Sequence, residues 1–136
     1  MHAFKFEISL RFFSKVIDPA EIYTQLGLEP EWQHKIGEPR KTPKGIALKG
    51  VYDISYCSFN FDRQNDEELH EMLDRILNGL TPHAELFYRM RDSGGRAEFF
   101  IGWYSPGNTG DTLSFELLRK ISELRIDLAL DVYGGN

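Results

Sequence analysis

The segment FKFEISLRFF, residues 4–13, decides the fold. Apolar side chains occupy its even positions, and polar or charged side chains occupy the odd positions from Lys5 to Arg11. A period of two places alternate side chains on opposite sides of a β-strand. The segment therefore predicts a strand with one apolar side for a core and one polar side for solvent.

The last strand-like segment, IDLALDVY at residues 126–133, repeats this pattern. Its apolar positions are Ile126, Leu128, Leu130 and Val132, and they alternate with Asp127, Ala129, Asp131 and Tyr133. Three amphipathic segments between the two strands predict helices. Together they predict a sheet whose apolar face is covered by helices and whose polar face stays open.

The helix signals are local. Asp18-Pro19-Ala20-Glu21 forms a capping-box pattern that begins helix one, and Gly27 ends it. Helix two carries an apolar stripe from Leu69 to Leu80, with Asn65 or Asp66 expected as its cap and Gly79 as its end. Helix three begins at Ser114 and is expected to bury four side chains, Leu117, Leu118, Ile121 and Leu124.

Three further strands complete the prediction. Val51–Phe59 is the second strand, and segments 84–91 and 96–104 are expected to form a hairpin across Asp92-Ser93-Gly94-Gly95. Segment 31–46 is expected to be an irregular loop. The predicted fold class is α+β: a largely antiparallel five-stranded sheet with about three helices on one face. It contains a ferredoxin-like βαββαβ core, preceded by an N-terminal strand and helix.

Size and composition indicate one ordinary globular domain over residues 1–136. The chain is 41% hydrophobic and 27% charged, with a net charge of −5. We expect no membrane span and no secretory signal, and the single cysteine, Cys57, excludes an intrachain disulfide. A cytoplasmic location is the simplest expectation.

Three short segments resemble motifs of a known protein family. Residues 9–12 (SLRF), 18–30 (DPAEI followed by LGLEP) and 128–133 (LALDVY) occur in this order. The chain resembles, over nearly its whole length, the bacterial family called domain of unknown function 4279. The resemblance implies a small bacterial α+β domain, and it implies neither an activity nor a catalytic residue.

No catalytic, cofactor or metal signature is present in the sequence. The four histidines are scattered, with none at an i, i+2 or i, i+4 spacing from another. Cys57 lies within an apolar strand and is expected to be an inert core residue. Asp127 and Asp131 share one side of the last strand, so they could also do acid–base chemistry with nearby basic residues.

The polar sheet face is the stronger lead, together with a basic loop. Five lysine and arginine residues between positions 33 and 49 stand against Glu38 alone, a local balance of +4. The face is expected to combine arginine with aromatic residues, a composition typical of protein interfaces. The predicted partner-binding residues are Arg11, Arg89, Phe100, Tyr104, Asp131 and Tyr133 on the sheet, and Arg40, Lys41 and Lys44 in the loop.

Three functions follow from these features. The first is a non-enzymatic interaction protein of the immunity or accessory type, which binds another protein or a second copy of itself. The second is an anion-binding or hydrolytic enzyme that uses Asp127 and Asp131 with Arg40, Lys41 or Lys44. The third is RNA binding on the sheet, which the acidic net charge disfavours.

Overall fold

The structure is a computed structural model and describes residues 4–134. Its strands are β1 (Lys5–Ser14), β2 (Trp32–His34), β3 (Pro39–Lys41), β4 (Ala47–Val51), β5 (Ser55–Phe61), β6 (Arg96–Ser105) and β7 (Ile126–Gly134). Its α-helices are α1 (Pro19–Leu26), α2 (Leu69–Leu80), α3 (Ala84–Asp92) and α4 (Phe115–Glu123), with a short 3-10 turn at Thr81–His83.

Five strands form one mixed sheet in the order β2-β5-β1-β6-β7, and β3 with β4 forms a separate two-stranded ribbon. The pairs β2–β5, β5–β1 and β1–β6 are antiparallel, whereas β6–β7 is parallel. The parallel pair requires a crossover, and α4 supplies it between β6 and β7. The β-strand of residues 4–13 is thus the central strand of the sheet.

The alternation along β1 is confirmed. Phe6, Ile8, Leu10 and Phe12 are buried in one apolar core with side chains from all four α-helices. The odd-numbered side chains from Lys5 to Phe13 lie on the opposite face and are exposed or half-buried. The α+β fold with helices on one face of a five-stranded sheet is therefore present.

Helices α1 and α4 begin where their caps predict. The Asp18 side chain accepts a hydrogen bond from the Ala20 backbone N–H at 2.9 Å, and the Ser114 side chain accepts one from Leu117 at 3.1 Å. Gly27 ends α1 with a φ of 66°, a left-handed conformation that glycine adopts without strain.

The predicted hairpin is wrong in its first half, because residues 84–92 form helix α3. Its buried side chains are Leu86, Phe87 and Met90, which lie on one side of a helix but would point to both sides of a strand. The βαββαβ series is therefore not present: the chain runs β5-α2-α3-β6-α4-β7. Helical packing against the sheet outweighed the alternation of Leu86, Tyr88 and Met90.

Two boundaries differ as well. Helix α2 begins at Leu69 with Glu68 as its cap, and Gly79 lies inside the helix. Glu68 and Glu71 each bind the other's backbone N–H in a capping box, which is why the first turn starts there. The expected irregular loop contains the strands β2 and β3.

The apolar side of β7 is covered over only part of its length. Ile126 is buried, whereas Leu130 and Val132 are 56% and 59% exposed, and Leu118 on α4 is also exposed. The reason is a difference in length. Nine helical residues span about 14 Å, but nine strand residues span about 30 Å. Helix α4 therefore covers the first half of β7 and leaves the second half bare.

Candidate functional site: the open sheet face

The face of the five-stranded sheet opposite the helices, here called the open face, carries a continuous row of rings. Phe13, Tyr56 and His34 stand directly opposite one another on β1, β5 and β2. Ring centroids are 5.0 Å apart for Phe13–Tyr56 and 5.5 Å for Tyr56–His34. Tyr52 stacks on His34 at 3.6 Å, and we call these four residues the aromatic row.

Arginine closes one end of this row. The guanidinium of Arg96 on β6 lies 4.0 Å from the centroid of the Phe13 ring. An arginine over an aromatic face is attracted by the ring quadrupole and keeps its charge available to a partner. Aromatic surface and a positive charge are therefore adjacent at this end of the open face.

The basic ribbon of β3 and β4 is attached to the other end of the row. The Tyr52 hydroxyl donates to the Lys41 carbonyl oxygen at 2.9 Å and accepts from the Lys41 backbone N–H at 3.1 Å. The Tyr52 carbonyl oxygen accepts from Gly37 N–H at 2.8 Å. Arg40 and Lys41, expected to bind a partner, lie exposed on this ribbon, and Lys44 is exposed in its turn.

His34 is held neutral within the row. Partial burial between the tyrosine rings lowers the pKa of its imidazole below the ordinary value. The ring therefore acts as an uncharged stacking surface at neutral pH, and the positive charge at this edge comes from the ribbon.

Arg11 lies in the centre of the open face. Its guanidinium is 3.7 Å from the centroid of the Phe100 ring, and it faces Glu98 across the β1–β6 pair. Its Nε is buried and has no hydrogen-bond partner among residues 4–134. Both Arg11 and Phe100 are thus brought together on the open face, as the alternation predicts.

The far end of the open face pairs tyrosines with acids. Tyr104 and Tyr133 stack at 4.9 Å. The Tyr133 hydroxyl donates to Asp131 at 2.5 Å, and the Tyr104 hydroxyl donates to Glu7 at 3.4 Å. The hydrogen bond to Asp131 raises the pKa of Tyr133, and desolvation with the nearby Glu7 charge raises the pKa of Tyr104.

Comparison of the sequence with protein-family models places this chain in a family. A sequence model described as "Domain of unknown function (DUF4279)" matches residues 2–135. The chain belongs to the DUF4279 family. Comparison with curated proteins and with solved structures found no match. The resemblance expected from the sequence is therefore confirmed, and it assigns no activity.

Arg89 is the one predicted site residue of this DUF4279 domain that lies elsewhere. It is on α3 in the helical layer and forms an ion pair with Glu21 of α1. Phe87 and Arg91 belong to the same segment, which was expected to be a strand, and they are also on α3: Phe87 is a core residue, and Arg91 pairs with Asp127 at 3.1 Å. These three residues lie away from the open face because residues 84–92 form helix α3 instead of the expected strand.

The carboxylate pair of the enzymatic hypothesis is not assembled. Asp127 and Asp131 are four residues apart on β7, about 13 Å along the strand. The ribbon adjoins β2, and four strand spacings of about 4.8 Å separate β2 from β7. Asp127 and Asp131 instead bind Arg91 and Tyr133, so the described residues form no pocket joining them to Arg40, Lys41 or Lys44.

Two other reactive groups are accounted for by structural contacts. Cys57 is fully buried in the core, and desolvation raises the pKa of its thiol to about 12. His70 binds Asp111 through Nδ1 at 2.9 Å and lies near Glu68 and Glu71. Those two carboxylates already bind backbone N–H groups at the start of α2, so the cluster serves as a helix cap.

None of the four residues of the aromatic row was among the site residues predicted from the sequence. Extending the alternation of β1 by one step would have placed Phe13 on the open face. His34 lies in the segment expected to be a loop, and no pattern there signals a strand.

Among the described residues, no helix is both long and apolar enough to cross a membrane.

Proposed function

We propose that this DUF4279 domain is a non-enzymatic binding protein that holds another protein on its open face and its β3–β4 ribbon. The observation that carries this proposal is the aromatic row, which ends in Arg96 on one side and in the basic ribbon on the other. Tyrosine, other aromatic side chains and arginine supply the anchors of protein interfaces.

The rigidity of the row supports binding. The Tyr52 ring is fixed by two hydrogen bonds to Lys41 and by stacking on His34, and Tyr56 is fixed between His34 and Phe13. Side chains that are already ordered lose little conformational freedom when a partner binds. The ribbon charges of Arg40, Lys41 and Lys44 lie at the rim, where they would steer an acidic partner.

The balance of charge favours a protein over RNA. Across the open face, Lys5, Arg11 and Arg96 are balanced in number by the acids Glu7, Glu98 and Asp131 on β1, β6 and β7, and Arg11 lies directly opposite Glu98. Nucleic-acid affinity comes largely from phosphate contacts with a dominant positive charge. A mixed face suits a protein with its own mixed surface, such as the partner of an immunity or accessory protein in bacteria.

A double variant tests the proposal. Tyr56→Ala with Arg96→Ala removes the centre and the cationic end of the row. Hot-spot side chains contribute roughly 2 kcal/mol or more, so we expect about a 30-fold weaker partner affinity. The measurement is quantitative co-purification with the tagged chain from its host, followed by titration of the recovered partner.

The matched control is Tyr88→Ala with Arg119→Ala, a half-buried tyrosine and an exposed arginine in the helical layer. It should leave affinity unchanged, and circular dichroism should show that both variants are folded. Equal recovery of the partner by both variants would refute the proposal. Salt-dependent capture of single-stranded RNA by the wild type, lost in the first variant alone, would replace a protein partner with RNA.

A further inference from the structure

The outer edge of β7 is an open strand edge. β7 pairs with β6 in unbroken register over nine residues, and no strand within residues 4–134 pairs with its other side. Natural proteins blunt such edges with charged side chains, above all lysine, and with proline, bulges or a covering loop. The β7 sequence, IDLALDVYG, contains neither lysine nor proline, and its pairing with β6 has no bulge. Its two charged residues, Asp127 and Asp131, are both on the open-face side of the strand.

Exposed apolar side chains border this edge on the helical side. Leu130 and Val132 of β7 are more than half exposed, and Phe115 of α4 is 76% exposed. Leu118 lies three residues after Phe115, on the same side of α4, and it lines one shallow depression together with Leu128. We call these residues the edge patch: Phe115, Leu118, Leu128, Leu130 and Val132.

We propose that the edge patch is where two copies of this chain associate, through antiparallel pairing of β7 with β7 about a two-fold axis at Leu130. The two five-stranded sheets would then continue into one another. The backbone groups on the free edge would find partners, and the apolar side chains beside it would be buried.

The sequence of β7 is self-complementary about Leu130. In antiparallel pairing centred there, Leu130 faces Leu130 and Leu128 faces Val132 of the second copy. A two-fold interface requires this kind of symmetry, because the same surface must serve both subunits. An axis at Asp131 would oppose Asp131 to Asp131, and an axis at Ala129 would oppose Asp127 to Asp131. Directly opposed like charges are destabilising, so the pattern also selects the register centred on Leu130.

The way in which α4 covers β7 also fits a two-fold pair. Helix α4 covers the first half of β7 and leaves the second half bare. Antiparallel pairing places the covered half of one strand beside the bare half of the other. The Val132 side chain of one copy would therefore lie next to Leu128 of the second copy, close to its α4.

Charges fit the same arrangement. Asp127 faces Tyr133 of the second copy, and Asp131 faces Ala129, so no two carboxylates are directly opposed. The diagonal neighbours of Asp131 are Asp127 and Asp131 of the second copy. Asp127 is already paired with Arg91 at 3.1 Å, and each Asp131 accepts a hydrogen bond from the Tyr133 hydroxyl of its own chain.

Sedimentation of the intact chain over a range of concentrations tests the association. The wild type should show a reversible monomer–dimer equilibrium. Leu130→Lys places two like charges together at the axis and should raise the dimer dissociation constant at least about tenfold. Val16→Lys is the control, because Val16 is 71% exposed in the β1–α1 connection, and it should leave the equilibrium unchanged.

A cysteine scan tests the register. Directly opposed residues in an antiparallel pair have Cα atoms about 4.5–5.5 Å apart, within disulfide range. Leu130→Cys should therefore form a disulfide-linked dimer on mild oxidation. Val132→Cys should not, because its counterpart lies about 13 Å away along the pair. The native Cys57 is buried and does not compete.

Three outcomes would overturn the inference: a wild type that stays monomeric up to about 1 mM, a dimer that survives Leu130→Lys, or faster cross-linking at position 132 than at position 130. Tyr56→Ala with Arg96→Ala should leave the dimer intact, because those residues are on the open face. Failure of the proposed partner binding and failure of the dimer are thus separate results.

Discussion

Phe12 and Phe13 are neighbours on β1, yet they belong to opposite sides of the molecule. Phe12 is completely buried, with its ring 5.4 Å from Phe87 and 6.1 Å from Phe59. Phe13 is half-buried on the open face between Tyr56 and Arg96. The difference shows that the same residue type serves the core on one side of the sheet and lies on the other side in the open face, which we propose binds a partner.

The largest expected effect is on the core face. Phe12→Ala should lower the free energy of unfolding by about 3–5 kcal/mol, because it leaves a cavity among packed rings. Phe13→Ala should lower it by about 1 kcal/mol, because its ring is only partly removed from water. Urea unfolding of both variants measures the contrast, and comparable losses would mean that the open face is part of the core.

The same comparison of the two sheet faces can be made on β5, where Cys57 points to the core and Ser58 points to the open face. Cys57→Ser places a hydroxyl in the apolar core and should cost about 1–3 kcal/mol. Ser58→Ala on the open face removes only a weak 3.5 Å hydrogen bond to the Trp32 carbonyl oxygen, so we expect a change within about 0.5 kcal/mol.

The Cys57 thiol should also be protected chemically. With a pKa raised to about 12, it should react with Ellman's reagent at pH 8 at least about a hundredfold more slowly in the folded protein than in urea. Rapid labelling of the folded chain would show that the β5 core face opens readily.

The smallest expected effect is the pH dependence at His34. Burial lowers the pKa of this imidazole in the folded state, whereas the unfolded chain keeps the ordinary value of about 6.5. Between these two values the unfolded chain binds more protons, so the stability that neutral His34 contributes is lost as the pH falls below 6.5.

Unfolding at pH 7.5 and 5.5, compared between the wild type and His34→Gln, isolates this contribution. On acidification, the free energy of unfolding should fall further for the wild type than for the variant. The difference between these two losses should be smaller than the destabilisation caused by Cys57→Ser. An NMR titration should place the His34 pKa below that of an unfolded histidine. A value above it would mean that the ring pairs with an acid instead of stacking between tyrosines.

Part of the proposed binding surface could be predicted from the sequence. Arg11, Phe100, Tyr104 and Asp131 follow from the period of two along β1, β6 and β7, because strand alternation is a local property. The position of Arg89 could not be predicted, because the sequence of segment 84–92 fits a strand and a helix equally well. The choice depended on whether Leu86, Phe87 and Met90 could pack together against the sheet.

By itself, the sequence determined that β1 is a strand, the start of α1 and of α4, and membership of the DUF4279 family. The strand depends on a period of two, the helix starts depend on caps a few residues long, and the family is recognised along the sequence. The tertiary structure alone decided the aromatic row and the free edge of β7. Strand pairing brings residues 13, 34 and 56 together, and Tyr52 joins them by stacking on His34. The short reach of α4 leaves Leu130 and Val132 bare. Both outcomes depend on contacts between segments distant in the chain, which no local pattern encodes.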